Sequence, residues 1–423
     1  MKKSDNQSYT VKNQFGLIGE NLVHSHSARL HNLLGDYSYE LIPLRKNELD
    51  RFLRSGNFAG LNVTIPYKQC VIPYCAELSD SAKRIGSVNT LVRRANGTLF
   101  GDNTDAFGFA EMVSFSGIRF AGEKALVLGN GGTCRTACAV IREAGGIPVI
   151  ISRNGENHYG NLDINSDATV IVNTTPMGMY PHTDDSPINL RIFSNLKGVL
   201  DVIYNPLRTR LLQQADERGI PHGGGLRMLV MQAARASERF AGIPVPAERV
   251  ANALFTLRKE ATNLVLVGMP GSGKTTIGKL LANILKLPLT DIDTQVEREC
   301  GCTIPELFAR EGEAGFRARE AAQVARYARE SGHVLVTGGG AVLNQENRTN
   351  LRLNGFVVHI TRPLDLLPMD GRPLSGNREA LEKLWELRAP LYAAVADITV
   401  GNEKEPADCT RAIWEAYHEA LCD

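Results

Sequence analysis

LVLVGMPGSGKT, residues 264–275, leads an apolar strand into a turn built on Gly268, Gly271 and Gly273, and ends in Lys274 and Thr275. The following TIGKLLANIL (276–285) repeats apolar side chains at helical spacing. Gly-x4-Gly-Lys-Thr between a strand and a helix is a phosphate-binding loop. Backbone N–H groups around Gly271, Ser272 and Gly273 suit phosphate oxygens, and Thr276 opens the helix beside them. Lys274 reaches the outer phosphates and the Thr275 hydroxyl suits Mg²⁺. The loop predicts binding of ATP or a similar triphosphate and leaves the phosphate acceptor open.

A second glycine-rich turn lies upstream. ALVLGNGGTCR (125–135) passes from an apolar strand through Gly129, Asn130, Gly131 and Gly132 into a helix opened by Thr133. Glycines there let a pyrophosphate approach the backbone at a helix N-terminus. The spacing is Gly-x-Gly-Gly, and a plain tight turn is the alternative. The next strand, IPVIIS (147–152), ends at Ser152-Arg153, where an NAD-binding unit usually carries an acid. A guanidinium at Arg153 suits a 2′-phosphate, which favours NADP.

Other apolar runs alternate with helical patterns: TVIVNTT (169–175), GVLDVIY (198–204), HVLVTGG (333–339) and GFVVHI (355–360). Short buried strands separated by helices predict an α/β protein with parallel sheets. The length, 423 residues, predicts about three structural units. The formal charge is +1, which argues against nucleic acid or an anionic membrane as the main partner. The opening MKKSDNQSYT lacks the apolar stretch of a signal peptide, and no run approaches the roughly 18 residues of a spanning helix. Eight scattered cysteines do not form a disulfide framework. Together these features predict reduced thiols in a cytoplasmic protein. Nothing here fixes the oligomeric state.

Before the second loop, four stretches gather small polar residues beside apolar strands: ENLVHSHSARLHN (20–32), NVTIPYK (62–68), GSVNTL (86–91) and GDNTD (101–105). Hydroxyls at Ser25 and Ser27 suit a carboxylate, amides at Asn62 and Asn89 suit ring hydroxyls, and Lys68 with Asp105 suits proton transfer. Each stretch taken singly also fits turn chemistry.

Their order carries a resemblance. HSHS, NVTIPYK, GSVNT, GDNTD, GNGGTCR, NTTPMGMYP (173–181), DVIYNPLRT (201–209) and GLRMLVMQAA (225–234) follow one another as in shikimate dehydrogenases. The resemblance spans about 15–258. It implies a substrate-binding domain over 1–112, completed by 230–258, and a Rossmann-like NADP domain over 113–229. It implies Lys68 and Asp105 as the catalytic pair and Ser25 and Ser27 at the substrate carboxylate. Thr64, Asn89, Asp105 and Gln232 would meet the ring oxygens, Tyr204 would close the pocket, and Gly225 would lie at the cofactor. Two departures stand out. Ala28 replaces the usual proline, and Ser152-Arg153-Asn154-Gly155-Glu156 keeps one basic residue where two are usual.

Residues 259–423 resemble shikimate kinase through GMPGSGKT, DIDTQVE (291–297), FRARE (316–320), TGGG (337–340), GRPLS (371–375) and RAPLY (388–392). The resemblance implies that Asp293, Arg317, Gly339, Gly340 and Arg388 bind shikimate. Asp293 would also orient or deprotonate the attacking hydroxyl. Asp291 would act on Mg²⁺ with Thr275, and Lys274 and Arg372 would stabilise the transferring phosphoryl. Leu366-Leu367-Pro368 stand where an adenine-stacking arginine is common. The whole chain is thus expected to reduce 3-dehydroshikimate and then phosphorylate shikimate, with NADP, ATP and Mg²⁺. A broader quinate/shikimate dehydrogenase, a degenerate regulator or scaffold, and a general P-loop ATPase are the alternatives. Intact Lys68, Asp105, Lys274 and Asp293 speak against the regulator, and the set Asp293, Arg317 and Arg388 speaks against the ATPase.

Overall fold

The computed structural model describes residues 14–22, 26–367 and 378–422. Ser25 and Arg372 lie outside the described residues.

The chain opens with β1 (Phe15–Gly19), α1 (Ser27–Leu34), β2 (Tyr39–Pro43), α2 (Leu49–Ser55), β3 (Gly60–Val63), β4 (Cys75–Leu78), α3 (Asp80–Ile85), β5 (Thr90–Arg93), β6 (Leu99–Asp102) and α4 (Thr104–Ser116). The six strands form one sheet in the order β2-β1-β3-β5-β6-β4. It is mixed: β5 runs antiparallel to both β3 and β6, while the other neighbours are parallel. Ile18, Leu61, Val63 and Leu91 pack with Tyr67 and Val71 in the core on that sheet. Burying such an aliphatic side chain contributes roughly 1.5–3 kcal/mol.

Next come β7 (Lys124–Leu128), α5 (Gly132–Glu143), β8 (Ile147–Ile151), β9 (Val170–Asn173), β10 (Gly198–Asp201), α6 (Arg210–Asp216), β11 (His222–Gly224), α7 (Leu226–Ala241) and α8 (Ala247–Ala261). The sheet is parallel throughout, in the order β11-β10-β9-β7-β8. Strand order reverses beside β7, so the Gly129–Gly132 turn lies at a topological switch point, where ligands of such sheets bind. One expectation needs correction. IPVIIS reads as a buried strand, yet β8 is the sheet edge, with Ile147 59% and Ile150 40% exposed. Composition cannot separate an edge strand from a central one.

The third sheet belongs to β12 (Asn263–Val267), α9 (Lys274–Leu285), β13 (Leu289–Asp291), α10 (Ile292–Cys300), α11 (Ile304–Arg329), β14 (Val334–Val336), α12 (Gln345–Leu351), β15 (Gly355–Thr361), α13 (Arg378–Val395), β16 (Ile398–Gly401) and α14 (Pro406–Cys422). All its strands are parallel, in the order β13-β14-β12-β15-β16. Every residue of β12 is buried. Val265 and Val267 join the core on one face, and Leu264 and Leu266 join the core on the other. That is the apolar pattern of a strand covered on both sides.

The chain divides into two compact units. The first runs to Pro176 and adds Pro187–Tyr204 and Gln214–Leu254. The second comprises Met177–Ser186, Asn205–Gln213 and the chain from Phe255 onward. The division falls inside α8, so the charged stretch TLRKEAT (256–262) is the end of a helix and its exit. No helix among the described residues is long and apolar enough to cross a membrane.

Candidate active sites

In the first unit, Lys68 Nζ lies 2.5 Å from Asp105 Oδ2, with the two side chains only 22% and 15% exposed. The GDNTD sequence explains the position of the aspartate. Asn103 caps α4 by accepting the Ala106 N–H, so Asp105 falls in the first helical turn. Asn89 Nδ2 donates to the other Asp105 oxygen at 2.9 Å, and Asn89 Oδ1 accepts the Thr104 N–H at 2.7 Å. The buried amide therefore fixes both the carboxylate and the helix start.

The network continues outward. Asn62 Nδ2 donates to Thr90 Oγ1 at 3.1 Å, and Asn62 Oδ1 accepts the Tyr39 hydroxyl at 2.7 Å. Tyr39 also bonds the Ser27 side chain. Its ring stacks on His31 at 4.0 Å. Burial pushes the His31 pKa down to about 3, so this imidazole is neutral and structural. Thr64 packs against Gly19 at the end of β1. Gln232 stands on α7 where Gly108 of α4 lets the helices touch: a Cβ at Gly108 would meet Met228 O and lie 2.9 Å from Gln232 Cβ. Asp105 is three residues before that crossing. Tyr204 meets the His26 ring edge-on at 5.7 Å, and burial raises its phenol pKa.

Sequence reasoning missed Asp102. It is buried at the end of β6 and pairs with Arg239 of α7 at 2.7 Å. Burial works to raise its pKa, but the Ser79 hydroxyl, Arg239 and the Asn103 N–H hold it below the ordinary carboxylate range. It ties α7, which carries Gln232, to the GDNTD turn.

In the dinucleotide-type loop, Gly129 N donates to Ile151 O at 2.8 Å, which joins the β7 and β8 exits. Asn130 follows. Gly131 caps α5, and a Cβ at Gly131 or Gly132 would meet nothing within 4 Å. Thr133 stands in the first turn of α5. Ser152 N bonds Asn157 O at 3.2 Å, and the Arg153 charge acts on Tyr159. Gly225 precedes α7 and donates to Ile203 O at 2.9 Å.

In the second unit, Gly271 and Gly273 adopt φ of 84° and 98°, as the phosphate loop requires. Ser272 is buried, and its carbonyl accepts Asn402 Nδ2 at 2.7 Å. Lys274 Nζ lies 2.9 Å from the carbonyls of both Gly268 and Met269. Thr276 faces outward on α9. Thr275 Oγ1 donates to Asp291 Oδ2 at 3.0 Å, so the two expected metal-side residues do come together.

Beside them lies a buried charge cluster. Arg317 Nη1 pairs with Glu320 Oε2 at 2.7 Å. Glu320 is fully buried and was not singled out from the sequence, although it stands one helical turn after Arg317 in FRARE. A Cβ at Gly338 would lie 2.5 Å from Glu320 Oε1 and 2.7 Å from Asp293 Oδ1, so a side chain there would have to displace both carboxylates. Gly340 is packed against the Arg317 guanidinium in the same way, and Gly339 O accepts the Tyr392 hydroxyl. Burial, then Glu320 and Asp291, push the Asp293 pKa up to about 7, against the pull of Lys274 and Arg317. Arg388 is 2% exposed and bonds Tyr392. Asp293 Oδ1, Glu320 Oε1 and Arg388 Nε are buried without a partner. Unpaired buried polar atoms of both signs around one glycine strip suit a polar, anionic ligand.

These features define a class: a dehydrogenase-type unit with a dinucleotide loop, joined to a P-loop phosphotransferase. Residues 17–91 match the family described as shikimate dehydrogenase substrate binding domain, and residues 270–418 match shikimate kinase. The shikimate dehydrogenase (NADP(+)) of Clostridium beijerinckii is 36% identical over 244 residues, 53% of this chain and 90% of that protein. A chorismate mutase/shikimate 5-dehydrogenase fusion protein from Clostridium acetobutylicum is similar at TM-score 0.55 and 35% identity, over 58% of this chain and 96% of its own. A shikimate 5-dehydrogenase from Thermus thermophilus, solved with NADP(H) and shikimate, gives 0.52 and 30%, over 57% and 98%. The chain belongs to the shikimate dehydrogenase family and carries a shikimate kinase domain behind it. It is a bifunctional enzyme of the shikimate pathway.

Proposed function

We propose that the first unit reduces 3-dehydroshikimate to shikimate with NADPH, and that the second phosphorylates the shikimate 3-hydroxyl with MgATP. The supporting observation is convergence: Lys68, Asp105 and Asn89 meet in one unit, and Lys274, Asp293, Arg317 and Arg388 gather in the other. Bound NADPH supplies the hydride and bound MgATP the phosphoryl group.

The chain's own residues do the rest. As the ketone is reduced, negative charge develops on its oxygen. The Lys68 ammonium stabilises that charge and donates the proton, and Asp105 holds the ammonium in place. Ser25 and Ser27 hold the carboxylate, and Thr64, Asn89 and Gln232 the ring oxygens, under Tyr204. The open space beside Gly131 and Gly132 fits a pyrophosphate. In the second unit, Arg317 and Arg388 bind the shikimate carboxylate beside Gly339 and Gly340, and Asp293 orients or deprotonates the 3-hydroxyl. Thr275 and Asp291 offer two hard oxygens 3.0 Å apart, which suits Mg²⁺ held mainly by water and phosphate. Lys274 and Arg372 neutralise the transferring group. The free, scattered cysteines suit a reducing compartment, and we place the enzyme in the cytoplasm.

The test is a two-channel assay on the purified protein. Shikimate with NADP⁺ is followed by NADPH absorbance, and shikimate with MgATP by ADP release. Activity in both channels is expected; binding without turnover in either would favour a regulator. Arg153→Gln should raise the KM for NADP⁺ about tenfold and leave that for NAD⁺ unchanged, because only the 2′-phosphate needs the guanidinium. Equal effects on both cofactors would remove Arg153 from that role.

A further inference from the structure

In the second unit, the Tyr392 hydroxyl lies among three parts of the candidate kinase site, all of them inside that unit. Tyr392 stands on α13 one helical turn after Arg388, and its side chain is fully buried. The hydroxyl donates to Gly339 O in the glycine strip after β14. Its oxygen accepts an N–H of Arg388, a side chain that can only donate. It also lies 3.9 Å from Met269 Sδ in the phosphate loop, and the Met269 carbonyl holds Lys274 Nζ at 2.9 Å. Gly339 in turn packs on that loop: a Cβ there would lie 2.6 Å from Pro270 Cδ.

The ring is held as well. It stacks on His359 of β15 at 4.8 Å and 22°, and Trp385 stacks on the same imidazole at 6.2 Å. Burial, then the Lys274 charge, lower the His359 pKa to about 4, so the stack is uncharged at neutral pH. Burial pushes the Tyr392 phenol up to about 12 against the pull of Arg388, so its hydrogen stays in place for Gly339 O. A fixed phenol can therefore join a charged donor on one side to a carbonyl on the other. Arg388 needs such a partner, because it is 2% exposed and its Nε has none. An untied guanidinium samples rotamers that substrate binding must freeze out, and that entropy weakens binding.

On the reading that Arg388 and Gly339 belong to the shikimate site, we propose that Tyr392 is a positioning residue for the kinase reaction: its hydroxyl ties the Arg388 guanidinium to the glycine strip and so presets the pocket for the shikimate carboxylate. Tyr392 acts through Arg388.

The test uses the full-length enzyme with Tyr392→Phe, Arg388→Gln and the double variant. Phe keeps the ring and its stack on His359 and removes only the hydroxyl. Tyr392→Phe should raise the kinase KM for shikimate, and the shikimate Kd measured by calorimetry without nucleotide, about tenfold, as for the loss of one hydrogen bond to a charged group. The KM for ATP and the dehydrogenase kinetics should stay within about twofold. Adding Tyr392→Phe to Arg388→Gln should cost less than about a further twofold. An unchanged shikimate KM and Kd in Tyr392→Phe, with Arg388→Gln impaired, overturns the inference and spares the reading of Arg388. An unimpaired Arg388→Gln overturns that reading and the inference with it. Losses that multiply in the double variant, or equal losses for shikimate and ATP in Tyr392→Phe, would mean that the hydroxyl only holds the unit together, and either result also overturns it.

Discussion

Lys68→Ala is expected to lower dehydrogenase turnover by about three orders of magnitude while kinase activity stays within a few fold. The alanine removes the only ammonium seen within contact of Asp105 among the described residues, at 2.5 Å from its Oδ2. Charge developing on the substrate oxygen then has no cation beside it, and no acid to protonate it. The structural alternative is an ordinary buried ion pair. That alternative predicts a lower melting temperature with turnover reduced only in proportion to the folded fraction. Lys68→Met keeps an unbranched stem of similar length, so a loss of turnover without a loss of stability separates the two. Loss of kinase activity as well would reveal coupling through Lys68 itself, which none of its contacts supports.

The contact between Lys68 and Asp105 was legible because its surroundings are local. In GDNTD the cap at Asn103 places Asp105 in a helical turn within two residues, and NVTIPYK delivers Lys68 from the end of β3. The phosphate loop was legible for the same reason: its glycine spacing encodes the loop without reference to the rest of the chain. Its support was not. Asn402, which holds the Ser272 carbonyl, lies 130 residues away, and Asp102 and Arg239 lie 137 apart. Such pairs leave no local signature. Glu320 is an intermediate case. Its spacing from Arg317 puts both on one helix face, but the ordinary meaning of Arg-x-x-Glu is an exposed ion pair. Only the close packing of Gly338 shows that this carboxylate faces Asp293.

The division of the chain was the least legible feature. Residues 177–186 and 205–213 belong to dehydrogenase motifs in sequence, yet they fall in the second compact unit. The motif NPLRT shows an arginine with no reason to be singled out. Its partner Asp397 lies 189 residues on, just before β16. A pair so far apart in the chain leaves no trace in motif spacing.

Asp293→Asn is expected to lower kinase turnover by about two to four orders of magnitude with the dehydrogenase unaffected. The amide has nearly the same shape, so the loss isolates the charge and proton affinity of the carboxylate. Its titration adds a second, independent readout. In protein free of nucleotide and magnesium, burial and the nearby Glu320 and Asp291 hold the Asp293 pKa at about 7, with Lys274 and Arg317 opposing. The sign follows from linkage. The folded state keeps a proton that the unfolded chain releases near its ordinary value of 3.8, so stability falls as pH rises from that value to about 7. Glu320→Gln removes the largest unfavourable charge beside Asp293. The Asp293 pKa should then drop, and the pH at which stability stops falling should drop with it, as read by carboxyl NMR titration and by melting across pH. A magnesium ion beside Asp291 would pull the value the same way, so the acid limb of kinase activity should lie below the titration of the apoprotein. An Asp293 that titrates in the ordinary carboxylate range, together with an active Asp293→Asn, would return this residue to a structural role.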